Sequence, residues 1–311
     1  MILKSLISRL YNNAYMLVLL AILFWAGNFV MGRGVADTIP PMILSCLRWL
    51  LASAILLPFA WPHLKTDWPE IRGRIPYFFL LGLLSGAAFN ALTYLGLHTT
   101  TATNAFVINA ALPIFIILLN YLMHGTSLSI KKTFSVIISL IGVLLIICKG
   151  DLSALINLRF TFGDLMVTLA MISWAIYTAL LPGRPKLHSL SFAAMTFITA
   201  TIILIPFTFI EFYLGYRAEL NLTSLGALLY VGIFPGLLAY IFYNRGVELI
   251  GGNTTGILLY LMTPIGALLS ILFLDEIPQA YHYIGFALIL AGVIISSQSK
   301  AKQKDTTKQE A

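Results

Sequence analysis

The stretch Gly82-Leu-Leu-Ser-Gly86 recurs 150 positions later in the chain as Gly232-Ile-Phe-Pro-Gly236. Other landmarks recur in the same order within one residue of that offset: Trp25 and Trp174, Gly96 and Gly246, Pro113 and Pro264, and residues 140–143 and 290–293. Ordered matches at one offset are typical of an internal duplication. The sequence therefore predicts two related halves.

Hydrophobic runs predict ten membrane-spanning helices, five in each half. Each run approaches the roughly 20 residues that cross a bilayer, and the runs lie at 14–33, 42–61, 75–97, 103–123, 131–148, 162–182, 189–212, 223–243, 253–273 and 281–298. Because five is an odd number, the second half should enter the membrane upside down relative to the first. The predicted fold is all-α, with inverted repeats at 14–148 and 162–298 joined by an outer loop at 149–161.

Composition excludes a water-soluble protein. Hydrophobic residues make up 59% of the 311 residues and charged residues 10%, too apolar a balance for a single soluble core. The connecting loops are too short for a separate soluble domain. The first run lacks a small-residue cleavage site, so we expect a retained span. Cys46 and Cys148 lie inside spans without metal-ligand spacing, and we assign them no chemistry.

Basic residues predict the orientation of the chain. If the N-terminus is inside, fourteen Lys and Arg residues fall in inner segments and four in outer segments, the bias expected of cytoplasmic loops. Residues 1–13 and the polar, disordered tail at 299–311 are then cytoplasmic, in a bacterial inner membrane. The net charge of +7 reflects topology and lipid contact and not nucleic-acid binding.

Polar residues within the spans predict a central cavity at the midplane. Three repeat-related positions carry Asn in the first half and Tyr in the second: Asn28 and Tyr177, Asn90 and Tyr240, and Asn109 and Tyr260. Polar side chains in lipid are costly and usually face the protein interior. Trp25, Tyr94 and Trp174 lie on the same helix faces, three or four residues from these positions. Two alternatives stay open: the amides bond only to neighbouring helices, and the tyrosines, Tyr243 in particular, anchor at the interface.

Arg48 is the only strong charge well inside a predicted span. It could hold a substrate carboxylate through paired donors, or it could snorkel to the outer interface. Ion coupling commonly needs an intramembrane carboxylate, whereas the acidic candidates all lie near span ends: Asp164, Glu211, Glu248, Asp275 and Glu276. Protons stay a candidate coupling ion without support from the sequence.

Small residues and prolines predict where helices touch and where they weaken. The residues with this expected role are Gly82, Gly86, Gly232, Gly236, Pro113 and Pro264. The sequence contains no His-Glu-x-x-His, Gly-x-Ser-x-Gly, phosphate-binding or Cys-x-x-Cys motif. We therefore expect neither an enzyme nor an ATP-driven pump, and no cofactor or metal.

These residues resemble the EamA family of the drug/metabolite transporter superfamily, from about residue 14 to 298. The resemblance rests on the two five-helix repeats, residues 25–28 (Trp-Ala-Gly-Asn), Pro113, the pair Asp275 and Glu276, and Gly292-Val. Several members of that family export amino acids or related metabolites, which implies a small-molecule substrate here. Family repeats often end their fourth helix with Glu, whereas the first half has His124-Gly125, so a role for that Glu would be lost there.

The expected function is a secondary transporter that works by alternating access between its two halves. Amides beside aromatic walls suit a small amphipathic solute, and amino-acid export follows from the resemblance alone. The first alternative is an exporter of another small metabolite or a drug-like solute. A channel would need a continuous polar pore and a membrane enzyme a titratable cluster, so both are less favoured. The sequence does not indicate an oligomeric state.

Overall fold

The computed structural model of the protein describes residues 12–35, 38–97, 108–109, 111–125, 129–148, 150–151, 153, 161–219, 221–273 and 279–297, and within them it contains helices and no strand. The expected N-terminal segment as far as residue 11, most of the loop at 149–161, the tail at 299–311, and Asp275 and Glu276 lie outside this part of the chain.

The helices of the first half are α1 (Ala14–Gly34), α2 (Pro41–Arg72), α3 in three pieces (Ile75–Leu81, Gly82–Ala88 and Phe89–Leu97), α4 (Leu112–His124) and α5 (Ile130–Ile147). Those of the second half are α6 (Phe162–Leu180, then Leu181–Gly183), α7 (Ser189–Tyr213), α8 in three pieces (Leu222–Val231, Gly232–Leu238 and Ala239–Ile250), α9 in three pieces (Gly252–Leu258, Leu259–Leu261 and Met262–Phe273) and α10 (Ala280–Ser297).

Five of the described helices are long and apolar enough to cross a membrane: Pro41–Arg72, Ile75–Gly96, Phe162–Gly183, Ser189–Tyr213 and Leu222–Ile250. Shorter apolar helices occur at Ala14–Asn28, Leu112–His124 and Ala280–Ile295. The chain is thus a multi-pass helical membrane protein, while the count of ten spans stays a prediction.

The second helix continues well beyond its predicted apolar run, which ends at residue 61. It reaches Arg72 with three prolines inside it, and an exposed ion pair of 3.0 Å joins Glu70 to Arg74 just beyond its end. Hydropathy detects the apolar part of a helix and not the point where its backbone hydrogen bonding stops. Hydropathy therefore does not predict the polar extension of this helix.

Helices pack across the two halves as a two-fold relation requires. Helix α1 contacts α8 and α9, and its counterpart α6 contacts α3 and α4. Helix α2 contacts α8 while α7 contacts α3, and the pairs α2–α7, α4–α9 and α5–α10 each join equivalent helices. The core therefore lies between the halves and not within either of them.

Each half carries a π-helical turn of seven residues, Gly82–Ala88 in α3 and Gly232–Leu238 in α8. These are the two stretches whose glycines reveal the duplication, so the repeat extends to an uncommon backbone conformation. Such π turns are rare and occur frequently at functional sites.

The glycines of these turns lie where neighbouring helices approach. A Cβ on Gly82 would lie 2.7 Å from the backbone nitrogen of Ala200 on α7, and one on Gly86 would collide with the Ala200 methyl group. A Cβ on Gly232 would lie 2.6 Å from Leu51 on α2. Gly236 differs, because its Cβ would lie 2.9 Å from a carbonyl oxygen of its own helix and 3.4 Å from the Arg48 side chain.

The two predicted weak points, Pro113 and Pro264, both lie next to an interruption of regular α-helix. Pro113 occupies the first turn of α4, where the missing N–H needs no partner. Pro264 follows the 3₁₀ turn Leu259–Leu261 in α9.

Helices α5 and α10 approach each other closely at two glycines. A Cβ on Gly142 would lie 2.7 Å from the carbonyl oxygen of Gly285, and one on Gly285 would lie 2.8 Å from that of Gly142. Gly142 belongs to the repeated stretch at 140–143, which served the sequence argument only as a landmark. Here it marks a helix contact as well.

Candidate functional site

Arg48 on α2 is held inside the protein, 4% exposed. Its Nη1 donates a hydrogen bond to the Asn90 Oδ1 on α3 at 3.1 Å, and its Nη2 donates to the Pro235 carbonyl oxygen on α8 at 3.0 Å. The guanidinium carbon lies 5.2 Å from the centre of the Trp49 ring. Its head group thus lies between the two helices that carry π turns and does not extend to the surface.

Both π turns supply a backbone carbonyl to the side chains around Arg48. The Pro235 carbonyl also accepts a hydrogen bond from the Trp25 indole at 3.1 Å. The Gly86 carbonyl accepts one from the Asn90 amide at 2.8 Å and another from the Trp49 indole at 3.1 Å. Four side chains are therefore anchored to two equivalent turns.

Several buried polar groups near Arg48 lack a hydrogen-bond partner. At hydrogen-bonding distance and angle the Arg48 Nε has no partner, and neither has the hydroxyl of Tyr94 or of Tyr240. The Tyr94 hydroxyl nevertheless lies close to the guanidinium, and the Tyr240 hydroxyl lies close to the hydroxyls of Ser85 and Tyr177. The Asn28 Oδ1 is also buried without a partner. We call Arg48, Tyr94 and Tyr240 the donor cluster.

An aromatic wall borders this cluster. The Trp174 ring lies 5.2 Å from that of Trp25, 5.3 Å from that of Tyr177, 5.8 Å from that of Tyr240 and 5.4 Å from that of Tyr243. These five residues form what we call the aromatic wall. It combines α1, α6 and α8, and it gives the site an apolar surface beside its cationic group.

The sequence did not predict the position of three residues at the site. Tyr243, interpreted as an interface anchor, is instead fully buried, and its hydroxyl lies 3.0 Å from that of Thr178. Trp49 and Phe197 pack on the Tyr240 ring at 5.4 and 5.2 Å. Trp49 is adjacent to Arg48 in the sequence, which was the available signal for it.

The third Asn and Tyr pair makes no described hydrogen bond or ring contact with the donor cluster. Tyr260 is 2% exposed and packs in an apolar cluster with Val143, Ile257 and Ile289. Its hydroxyl is unpaired. Asn109 is half-buried in the short helical piece at 108–109.

The exposure of the site residues differs between the two halves of the chain. Trp25, Asn28 and Tyr94 are half-buried, although Asn90 is only 4% exposed. Their second-half counterparts are buried throughout, with Trp174 at 4%, Tyr177 at 0% and Tyr240 at 1%. Two surface grooves lie elsewhere, one at the end of α7 and one between α2 and the α6–α7 connection. The donor cluster is therefore a packed site, more accessible on its first-half side.

Hydrogen bonds and ion pairs join the ends of α6 and α8. The Tyr177 hydroxyl donates to the Asn244 Oδ1 at 2.7 Å, next to the contact of Thr178 with Tyr243. Further along, Glu248 accepts from Arg184 at 2.6 Å and from Arg245 at 2.9 Å. We call these contacts the α6–α8 closure.

His124, the residue that departs from the family pattern, joins the same end of the molecule. Its Nε2 lies 2.6 Å from the carbonyl oxygen of Ala179, and because a carbonyl only accepts, the imidazole donates. The Tyr77 hydroxyl donates to the neighbouring Leu180 carbonyl at 3.0 Å. The final turn of α6 is therefore bonded to α3 and α4 as well as to α8.

Two helical halves that pack across a common core around buried polar residues are typical of membrane transporters. The model of the EamA-like transporter family matches residues 12–148 and again 161–298. The chain belongs to this family, which confirms the resemblance noted in the sequence. It is a transporter and not an enzyme, and its family implies a small-molecule substrate and a lipid environment.

Similar proteins agree with this assignment. An uncharacterized transporter of Archaeoglobus fulgidus is 28% identical over 290 residues, which are 92% of this chain and 98% of that protein. The uncharacterized transporter YyaM of Bacillus subtilis is 23% identical over 96% of this chain and 98% of its own length.

Two further comparisons concern substrate and fold. A protein of Streptantibioticus cattleyicolor, named "Probable terminal-alkyne amino-acid exporter", is 23% identical over 91% of this chain and 93% of its own. One solved crystal structure superimposes with a TM-score of 0.75 at 16% identity, over 91% of this chain and 96% of that one. That likeness supports the fold alone.

Proposed function

We propose that this transporter exports a small amphipathic metabolite by alternating access, with ten spans arranged as two inverted five-helix halves. The reciprocal helix contacts and the matching π turns support the inverted arrangement. The excess of Lys and Arg in the predicted inner loops supports cytoplasmic termini in a bacterial inner membrane.

The observation that carries the proposal is a buried cation beside an aromatic wall. Arg48 offers donors to an anionic group, and Trp25 and Trp174 offer apolar surface to the rest of the solute. Asn28, Asn90, Tyr94, Tyr177 and Tyr240 complete the proposed site, and the half-buried Asn109 stays a candidate member. Tyr260 is left out, because it packs among α5, α9 and α10.

Amino acids are the first substrate class to test. They carry a carboxylate for Arg48, and members with apolar side chains would fit the aromatic wall. The family resemblance and the name of one relative at 23% identity favour this class. The same features suit other small carboxylates and drug-like solutes.

Alternating access assigns a role to the two ends of the site. The described state is the one in which the α6–α8 closure is formed and the first-half residues are more accessible. Opening to the other side must break the contacts of Tyr177, Thr178 and Glu248. With cytoplasmic termini, this closure is on the cytoplasmic side.

Uptake into proteoliposomes that contain the purified protein tests the proposal. A panel of labelled amino acids is offered with and without an imposed pH gradient. We expect saturable uptake and counterflow of at least one class, which separates a carrier from a channel. A response to the gradient would establish proton coupling, and linear uptake without counterflow would contradict a carrier.

A further inference from the structure

The donor cluster has donors without partners and no described carboxylate to receive them. A guanidinium has five N–H groups, and the described contacts of Arg48 use two of them, on Asn90 and Pro235. The Nε–H and the hydroxyls of Tyr94 and Tyr240 are buried without partners. Buried polar groups are normally satisfied, and a guanidinium can only donate, so this arrangement fits a ligand that brings acceptors to Arg48. A carboxylate is such a group.

The charge of the site is equally one-sided. Among the described residues, the ion pairs are Arg74–Glu70, Arg184–Glu248 and Arg245–Glu248, and no described acidic side chain interacts with Arg48. A buried charge without a counter-ion is unfavourable, and an opposite charge relieves it. One carboxylate would make the loaded site neutral.

A zwitterion would leave the site with its net positive charge. Its ammonium would meet aromatic faces and the unpaired Asn28 Oδ1, and no described carboxylate. A monoanion therefore matches the donor cluster better than a zwitterion of the same shape.

We propose that the transported species is the monoanion of an amphipathic carboxylate, and that the membrane potential drives its export. This inference rests on the proposed transport function and narrows its substrate. The loaded site crosses as a neutral pair, and the substrate-free transporter returns with the positive charge of Arg48. Each cycle moves one negative charge outward, which an inside-negative potential favours. No coupling ion is required.

Three compounds with the same phenyl ring and different charges test this proposal in proteoliposomes. They are 3-phenylpropanoate, an anion, phenylalanine, a zwitterion, and 2-phenylethylamine, a cation. Valinomycin with potassium gradients sets an inside-positive or an inside-negative potential, and labelled uptake is measured under each. The direction of the effect does not depend on how the protein is oriented in the vesicle.

We expect 3-phenylpropanoate to be taken up best and to accumulate under an inside-positive potential. The limiting ratio for one charge is about 50-fold per 100 mV. The inside-negative potential should oppose uptake by the same factor. Arg48→Gln should abolish this uptake, whereas Arg74→Gln, which alters an exposed ion pair, should not change it.

Other outcomes separate this proposal from the transport function itself. Saturable 3-phenylpropanoate uptake that ignores the potential would overturn it and leave the transporter intact, as would a preference for phenylalanine. If none of the three compounds is transported, their binding is tested by thermal unfolding of the protein in detergent. Stabilisation by 3-phenylpropanoate that exceeds that by phenylalanine and is lost in Arg48→Gln would support the anion site, and its absence would overturn it.

Discussion

The first-half and second-half sides of the site share a backbone plan and differ in what their side chains do. On the first-half side, Asn28 and Tyr94 are half-buried and carry polar atoms without partners. On the second-half side, Tyr177 and Tyr243 are fully buried, and their hydroxyls bond to Asn244 and Thr178. The duplication supplied two equivalent positions, and different side chains make one side accessible and the other side sealed.

The largest expected effect tests the shared backbone plan. Gly86→Leu forces a side chain into the Ala200 methyl group on α7, and overpacking of this kind costs about 3 kcal/mol. We expect most folded protein to be lost, as measured by size-exclusion chromatography in detergent. Gly226→Leu on α8 is the control, because a Cβ there meets nothing within 4 Å. Wild-type yield of the Gly86 variant would refute the close contact.

The next effect concerns the cation between the two sides. Arg48→Lys keeps the charge and loses the planar set of donors that reaches Asn90 and Pro235 together. Hydrogen bonds to charged groups contribute about 1.5–3 kcal/mol. We expect the KM for a transported carboxylate to rise by roughly 10- to 100-fold, with the protein still folded. An unchanged KM would mean that Arg48 does not contact the substrate.

A pair of conservative variants sharpens the comparison between bound and unbound hydroxyls. Tyr177→Phe removes a hydroxyl that bonds to Asn244, so unfolding should become easier by about 1 kcal/mol. Tyr240→Phe removes a hydroxyl that lies near those of Ser85 and Tyr177 but makes no hydrogen bond of good geometry, so stability should fall by less than in Tyr177→Phe while carboxylate affinity falls. Thermal unfolding and KM are measured on both. Equal behaviour of the two variants would remove the distinction.

The smallest effect is expected at the charged end of the α6–α8 closure. Glu248→Gln weakens its contacts with Arg184 and Arg245, but the Glu248 side chain is 39% exposed. Such pairs contribute under about 1 kcal/mol. Hydrogen exchange at residues 178–183 should quicken by a few-fold, whereas Glu70→Gln should leave it unchanged. No change in either variant would show that the ion pairs do not hold this end closed.

The repeat was readable from the sequence because it fixes backbone positions. It correctly indicated the family, and it located the two turns that become π-helical. Repeat equivalence does not determine burial, however. Tyr260 is the counterpart of Asn109 by sequence, yet it packs in an apolar cluster with Val143, Ile257 and Ile289.

Contacts between residues far apart in the sequence are not encoded in the pattern of any single helix. The two alternatives for Arg48, substrate binding and snorkelling to the interface, differ in where its guanidinium lies. That position depends on the Pro235 carbonyl, which is 187 positions away in the sequence. The burial of Tyr243 likewise depends on its packing against Trp25 and Trp174. Periodicity along one helix contains no information about which other helix approaches it.

The hydrogen bonds to Gly86 and Pro235 have a mechanical consequence. A helix bends more easily at a π turn than elsewhere, because the turn interrupts the regular α-helical hydrogen bonds that make the two segments of the helix move together. Asn90 and Trp49 bond to the π turn of α3, while Arg48 and Trp25 bond to the π turn of α8. A force on the Arg48 guanidinium therefore acts on the π turn of α8, where that helix bends most easily, and not on its regular α-helical segments.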